Sequence, residues 1–243
     1  RSADPVDLGG LLLAAAAAGW ADAVVGGGGL IQLPALLLAF PAAAPSAVLA
    51  TNKIASVFGT ATSSATYLRR VRPDRATLLV MAPLALAGSA LGAVGAHWLP
   101  QRVFRPLILI LLIAVAGYTL IRPRLGLEHA AKHDGRGHLV RAGVIAAGLG
   151  AYDGMFGPGT GSFLVFALVG WLGYSFLTAS ATAKVTNLAT NLGAIVVFTA
   201  LGAPMWAVGL PMGVANLAGG YLGARSAIAG GNRFVRVVFL VVV

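Results

Sequence analysis

Four charged side chains lie within stretches of sequence that are otherwise almost entirely apolar: Asp22, Lys53, Asp153 and Lys184. A charge in the hydrocarbon of a membrane costs at least about 2.5–3.5 kcal/mol, so each of them must face protein or water. A lysine ammonium can hold an anionic group, and a buried carboxylate can carry a proton because burial favours its neutral form. The four residues predict an anion site with Asp22 or Asp153 as proton carrier. The alternative is a structural Asp–Lys ion pair within each half of the chain, which would oppose protonation.

Each aspartate precedes a glycine-rich segment, GGGG at 26–29 and GPGTGS at 157–162. Irregular backbone at membrane depth is tolerated only where it is buried in protein or lines a cavity. The short helix after each segment begins with amides that lack partners within the helix, and such amides attract anions. The glycines could instead only allow close helix packing. On the first interpretation, the two segments supply amides and hydroxyl groups to an anion from Gly28, Gly29, Gly159, Thr160 and Ser162.

Polar residues recur with helical spacing beside each lysine. Lys184, Asn187 and Asn191 share one helical face, since they lie three and four residues apart. The equivalent face of the first half carries Lys53, Ser56 and Thr60, with Asn52 beside it. Such stripes either bond helix to helix or line a pathway, and the lysines favour a pathway. The predicted substrate-binding set is completed by Asn52, Lys53, Ser56, Lys184, Asn187 and Asn191.

The composition indicates an integral membrane protein. Of 243 residues 58% are hydrophobic and 10% are charged, and the mean hydropathy is +0.87; soluble domains carry about 25% charged residues. The formal net charge is +10, but the basic residues cluster in short loops without a basic stripe, which argues against nucleic-acid binding. There is no cysteine, and His129, His133 and His138 are assigned to a solvated central loop. We expect no metal site and no cofactor.

The chain contains an internal duplication. Gly19–Leu112 aligns without a gap with Gly150–Val243, at an offset of 131 residues (from 19 to 150), and 23 of 94 aligned positions are identical. The matches include rare residue types, such as Asp22 with Asp153 and Lys53 with Lys184. Internal repeats of this kind are typical of secondary transporters.

The apolar stretches predict three spanning helices in each half. A spanning helix needs about 20 apolar residues, and a last helix starting near Phe234 has only half that length at Val243, so we expect the chain to continue. Leu8–Phe40 and Leu139–Leu172 are broken by the glycines, and each is predicted to be a hairpin with a short second arm, Leu30–Phe40 or Ser162–Leu172. The other predicted spans are Ser46–Leu68, Ala76–Trp98, Val103–Ile121, Tyr174–Ala200 and Met205–Ala224.

The loop charges predict that the two halves have opposite orientations. The loop after Ser46–Leu68 holds four arginines at 69, 70, 72 and 75, whereas the equivalent loop Leu201–Trp206 holds no charge. Because Lys and Arg accumulate in cytoplasmic loops, the arginine loop is placed inside. The central linker and Arg225 then also fall inside. The fold class is therefore an all-α membrane protein of two inverted repeats, residues 8–121 and 139–243, joined by a basic cytoplasmic linker, 122–138.

Four segments together resemble the TauE/SafE family of membrane transporters: GGGGLIQLPALL, ATNKIASVFGTATSSATYLRR, GAYDGMFGPGTGSF and ATAKVTNLATNLGAIVVF. The resemblance covers nearly the whole chain from Leu8. It implies export of sulfur oxyanions and organosulfonates, such as sulfite and sulfoacetate, with coupling to protons. The family motif maps onto Asp22, Gly26 to Gly29, Asn52, Lys53, Asp153, Gly157, Pro158, Gly159, Ser162, Lys184, Asn187 and Asn191.

We therefore expect a multi-pass protein of the bacterial inner membrane that exports small sulfur-containing anions by alternating access, with protons as the coupling ion. Its partners are the anion and the lipid bilayer, and a homodimer is compatible with the sequence. The alternative is a passive anion channel lined by the same residues. An intramembrane enzyme is disfavoured, because there is no cysteine and no histidine deep in a predicted span.

Overall fold

The protein is helical throughout the part that the computed structural model describes, which comprises residues 5–98, 100, 102, 103, 106, 107, 110, 113, 135–202 and 204–242. Within these residues there is no β-strand, as the sequence predicted. The helices are α1 (Pro5–Val25), α2 (Gly28–Ala39), α3 (Pro45–Leu68), α4 (Arg75–His97), α5 (Gly135–Met155), α6 (Thr160–Ala167), α7 (Phe176–Ala200) and α8 (Trp206–Val242).

Two of the described helices are long and apolar enough, by length and composition, to cross a membrane: Leu8–Val25 within α1, and α4. Helices α3 and α7 are 24 and 25 residues long, but buried polar side chains lower their hydropathy. Their observed bounds lie within two residues of the predicted spans. Most of the predicted span Val103–Ile121, and the linker up to residue 134, lie outside the described residues.

Two helical segments follow residue 205, as predicted, and they are joined at a kink without a loop between them. Helix α8 runs from Trp206 to Val242 with a kink at Gly231, where φ is 64° and ψ is −165°. Glycine adopts this backbone conformation without a steric penalty, so the chain changes direction there without a loop. The helical segment that ends at this kink extends past Ala224, the predicted end of the span.

Both predicted hairpin stretches are broken at their glycines. Helix α1 ends at Val25 and α2 begins at Gly28, while α5 ends at Met155 and α6 begins at Thr160. The second helices thus start two residues earlier than predicted. A π-helical turn, Leu168–Leu172, extends α6 as far as Gly173. Both breaks are therefore short, and each leaves a helix start beside the end of the preceding helix.

The two halves interlock through equivalent glycine contacts. A side-chain carbon at Gly88 of α4 would overlap the Ala147 carbonyl of α5, and one at Gly219 of α8 would overlap the Ala16 carbonyl of α1. The two contacts are related by the offset of the repeat, since both 88 to 219 and 16 to 147 are 131 residues. Small residues let helix backbones approach closely in a membrane. The fourth helix of each half therefore packs on the first helix of the other half.

His138 lies in the first turns of α5 and is only 9% exposed, so its assignment to a solvated linker was wrong. Its Nε2 lies 3.0 Å from the Thr77 hydroxyl and 3.0 Å from the Tyr174 hydroxyl. The Thr77 hydroxyl also donates to Asp74 at 2.6 Å. These contacts join the starts of α4 and α5 to the turn before α7 at one end of the bundle.

Asp74 caps α4, and we expect this cap to stabilise the protein in a pH-dependent way. Its carboxylate accepts from the Thr77 hydroxyl and from the amides of Thr77 and Ala76, at 2.9 and 3.4 Å. The hydroxyl hydrogen bond, followed by those amides, holds the pKa of Asp74 below its ordinary value. Because the folded pKa is the lower one, the stabilisation is present above the ordinary Asp pKa of about 3.9 and is lost as the pH falls further.

Asp74→Ala should therefore lower the free energy of unfolding by about 1 kcal/mol at neutral pH, and by progressively less below about pH 4. Thermal unfolding in detergent between neutral and acidic pH measures the difference. The matched control is Ser175→Ala, which removes the hydroxyl that accepts from the Thr178 amide at the start of α7. A hydroxyl does not titrate, so its effect should not change with pH. An equal pH response of both variants would contradict the assignment.

Candidate functional site

The four charged residues form two buried ion pairs, and each pair joins the two halves of the chain. Lys53 Nζ lies 2.5 Å from Asp153 Oδ2, and Lys184 Nζ lies 2.8 Å from Asp22 Oδ2. The lysine side chains are 2% and 0% exposed. An ion pair within each half was the structural alternative in the sequence analysis, and that pairing was wrong. Sequence spacing could not reveal that each lysine pairs with an aspartate of the other half, because this pairing depends on how the two halves pack together.

Side chains from elsewhere in the chain satisfy the last carbonyl groups of α1. The final four carbonyls of a helix have no partners within the helix, and burying them unpaired would be costly. Here Lys184 donates to the Asp22 carbonyl, Tyr67 to that of Ala23 at 2.9 Å, Ser180 to that of Val24 at 3.4 Å and Ser162 to that of Val25 at 3.0 Å. Helix α1 can therefore end inside the protein. Lys184 neutralises Asp22 and caps the same helix end.

The two glycine turns contact each other directly. The Ser162 amide donates to the Gly26 carbonyl at 3.2 Å, and a side-chain carbon at Gly26 would overlap the backbone of Gly161 and Ser162. A side-chain carbon at Gly29 would lie 3.4 Å from the Gly157 carbonyl. The structure therefore brings both predicted helix starts to one place. The Ser162 amide, which was predicted to be available to an anion, donates to the Gly26 carbonyl instead.

Both side-chain hydroxyl groups of the second turn donate hydrogen bonds to backbone carbonyl groups. Thr160 donates to the Gly157 carbonyl at 2.9 Å, and Ser162 donates to Val25 of the first turn. Anion binding by these hydroxyls stays a prediction, because in this conformation both already donate to carbonyl groups. They stabilise the turn and its contact with α1 instead. Gly159, at the start of α6, has a positive φ of 75°.

Each ammonium group lies at the turn of the opposite half. Lys184 donates to the Asp22 carbonyl at the end of α1, next to the first turn. A side-chain carbon at Gly157, whose φ is +91°, would lie 3.8 Å from Lys53 Nζ, so this ammonium lies beside the second turn. Gly28 packs against the Asp22 side chain in the first turn. The lysines, aspartates and glycine turns thus form one cluster, which we call the central cluster.

The two polar stripes meet at the equivalent residues Thr60 and Asn191. Asn191 Nδ2 donates to the Thr60 hydroxyl at 3.2 Å. One turn earlier on α7, the Asn187 side chain accepts from Thr190 at 3.1 Å. Asn187 is 6% exposed and Asn191 is 2% exposed. The stripes that were predicted to line a pathway therefore bond to each other here, and pathway lining stays a prediction.

Gln32 and Asn216 belong to the same polar interior but were not predicted. Gln32 Nε2 donates to Asn52 Oδ1 at 2.9 Å and lies 3.5 Å from the Ser56 hydroxyl. Asn216 donates to Gln32 Oε1 at 2.8 Å. Gln32 is the one amide side chain of α2, and Asn216 is the one amide side chain of α8 before its kink at Gly231. That isolation among apolar residues is the signal that could have identified them. Together they hold Asn52 and Ser56 in place beside Lys53.

The central cluster combines two positive and two negative charges in an interior with little access to water. An incoming anion would compete with a carboxylate for an ammonium group, because both are anionic hydrogen-bond acceptors. Since each carboxylate belongs to the other half of the chain, such competition would break a contact between the halves. The geometry thus links the charge balance of each ammonium group to the packing of the two halves.

Comparison with known proteins gives consistent results. The model of the family described as "Sulfite exporter TauE/SafE" matches residues 11–243. "Probable membrane transporter protein ORF9" of Sinorhizobium sp is 37% identical over 232 residues, which is 96% of this chain and 87% of the relative. "Probable membrane transporter protein YfcA" of Escherichia coli K12 is 33% identical over 239 residues, 98% of this chain and 87% of the relative. No solved structure matches the chain significantly.

Proposed function

The chain belongs to the TauE/SafE family of membrane transporters, and we propose that it is a secondary transporter that exports small sulfur-containing anions, such as sulfite, sulfoacetate or related sulfonates. The observation that carries the proposal is the pair of buried lysines, each neutralised by a carboxylate of the other half. A buried ion pair adds little net stability compared with apolar residues of similar volume. Two such pairs are better explained by a ligand that takes the place of a carboxylate.

Alternating access follows from this exchange. When the anion binds Lys53 or Lys184, the displaced aspartate no longer holds the opposite half, and the two halves can rearrange around the site. Inverted repeats with broken helices at mid-membrane are the architecture in which such movement is typical. The contacts that recur at the repeat offset support this architecture for residues 8–121 and 139–243.

Proton coupling can follow from the same exchange. An aspartate that has lost its ammonium partner in the interior is stabilised by a proton, because burial disfavours the charged form. Asp22 and Asp153 are the two groups in this position. The side chain of Asp22 is 14% exposed whereas that of Asp153 is 2% exposed, which favours Asp22 as the first to exchange a proton with water.

The orientation in a bacterial inner membrane follows from the basic residues. One groove is lined by Arg69, Arg70 and Arg225, and the contacts of His138 bring the start of α5, which carries Arg136, to the same end as Asp74. Excess Lys and Arg mark the cytoplasmic side, so this end faces the cytoplasm. The loop charges alone predict the same side for these groups.

Uptake of labelled sulfite into proteoliposomes tests the function, with sulfoacetate, taurine, sulfate and chloride as competitors. We expect saturable uptake that an imposed pH gradient drives above equilibrium and that sulfoacetate inhibits. A passive anion channel, the alternative, would equilibrate the anion without accumulation. The burial of both lysine side chains, which are 2% and 0% exposed, supports the carrier, because a channel needs a continuous wet path. Absence of any sulfite or sulfonate flux would refute the proposal.

A further inference from the structure

A basic groove of about 460 Å³ lies where α3 ends beside α8. It is distant from Lys53, which lies in the first half of α3, and from Gly209, which lies near the start of α8. Three arginines line it, two from the end of α3 and one from α8, and no acidic residue is among its lining residues. Arg69 and Arg70 are exposed. The positive charge is therefore not neutralised by the groove itself. The lining residues are Thr66, Arg69, Arg70, Tyr221, Arg225, Ile228 and Ala229.

Within this groove Arg225 contacts Tyr221, one turn earlier on α8. Its Nη1 donates to the Tyr221 hydroxyl at 3.1 Å, and its guanidinium carbon lies 5.5 Å from the centre of the Tyr221 ring. Both contacts use only part of the guanidinium, which has five N–H donors in a planar fork suited to phosphate oxygens. The remaining donors are available to an anion with several oxygens.

The groove lies at the end of an exposed apolar stripe. Leu210, Val214 and Leu217 of α8 are 44%, 65% and 40% exposed, and Tyr221 is 42% exposed. These residues are spaced by four, three and four positions, and Arg225 follows four positions later on the same helical face. In a membrane protein such a stripe faces lipid chains. A molecule that matches both features has an anionic head and an apolar tail.

We propose that this groove binds the phosphate headgroup of an anionic phospholipid, whose acyl chains lie along the apolar stripe of α8. Arg69, Arg70 and Arg225 bind the phosphate oxygens by charge-assisted hydrogen bonds, and basic pockets between membrane helices are suited to such headgroups. Inorganic phosphate has the same oxygens, but only a lipid uses the stripe. The site is separate from the central cluster and does not depend on the transported anion.

Native mass spectrometry of the purified protein, titrated with phosphatidylglycerol or phosphatidylcholine in detergent, tests the proposal. We expect phosphatidylglycerol to bind the wild type at least roughly tenfold more tightly than it binds R69Q/R225Q. The matched control is R72Q/R75Q, which removes the same charge from the same end of the bundle but not from the groove, and it should bind as the wild type does. Phosphatidylcholine should bind all three proteins weakly and equally.

Each contrary result overturns the proposal. Equal loss of binding in both double variants would indicate a general surface charge effect, and equal binding of the two lipids by the wild type would exclude headgroup recognition. Displacement of phosphatidylglycerol by inorganic phosphate at equal headgroup concentration would indicate a site for the free anion. The lipid comparison on the wild type needs no variant, so the proposal can be tested even if R69Q/R225Q is poorly folded.

Discussion

Replacement of Lys184 and Asp22 by a neutral pair, Lys184→Gln with Asp22→Asn, should leave the protein folded and abolish anion uptake. The amides can keep a hydrogen bond between the two positions, where Lys184 Nζ and Asp22 Oδ2 now lie 2.8 Å apart. Removing both charges together also avoids the uncompensated buried charge that is left when only one partner is removed. The ammonium that holds the anion is gone, so uptake of labelled sulfite into proteoliposomes should fall to the level of empty vesicles.

The single variant Lys184→Ala provides the contrast. It leaves the Asp22 carboxylate without its partner, which costs about 3–5 kcal/mol in a buried pair, and it also removes a donor to the end of α1. We expect a lower unfolding midpoint together with loss of uptake. Normal uptake by the double variant would show that Lys184 has only a structural role. The equivalent pair, Lys53→Gln with Asp153→Asn, tests whether both halves contribute equally.

Gly26→Ala should prevent assembly of the folded protein, although it adds a single methyl group. Gly26 has a φ of +82°, a conformation that costs other residues about 1–2 kcal/mol. The added carbon would also overlap the backbone of Gly161 and Ser162, and overpacking of this kind typically costs about 1–3 kcal/mol more. Backbone at a contact between two turns cannot move aside as a flexible side chain can. The yield of monodisperse protein and its unfolding midpoint measure the effect.

Gly29→Ala is the matched control within the same glycine segment. A side-chain carbon there would make an ordinary contact, 3.4 Å from the Gly157 carbonyl, so we expect an unfolding midpoint close to that of the wild type. If Gly26→Ala folds and transports as Gly29→Ala does, the two turns are not in close contact in the transporting protein. The proposed coupling between the halves would then lose its basis at this point.

The sequence alone determined the membrane class, the helical breaks and the polar residues of the interior. These follow from local patterns: apolar stretches long enough to span, glycines where a helix must break, and charges that no lipid-facing position tolerates. The bounds of α3 and α7 were also predictable within two residues. Their starts are marked by Pro45 and by the Ser175 cap, which are residue types that favour the first position of a helix and the cap before it. The identical residues at an offset of 131 positions likewise revealed the duplication from the sequence alone.

Only the tertiary structure decided which of these residues meet. It paired Lys53 with Asp153 and Lys184 with Asp22, used the Thr160 and Ser162 hydroxyls within the turns, and added Gln32 and Asn216 to the interior. The physical reason is that local patterns fix the conformation of each segment, whereas partners are fixed by long-range packing. Close backbone contacts such as Gly88 with Ala147 and Gly219 with Ala16 cross the two halves, and that interlocking carries each lysine to the carboxylate of the other half.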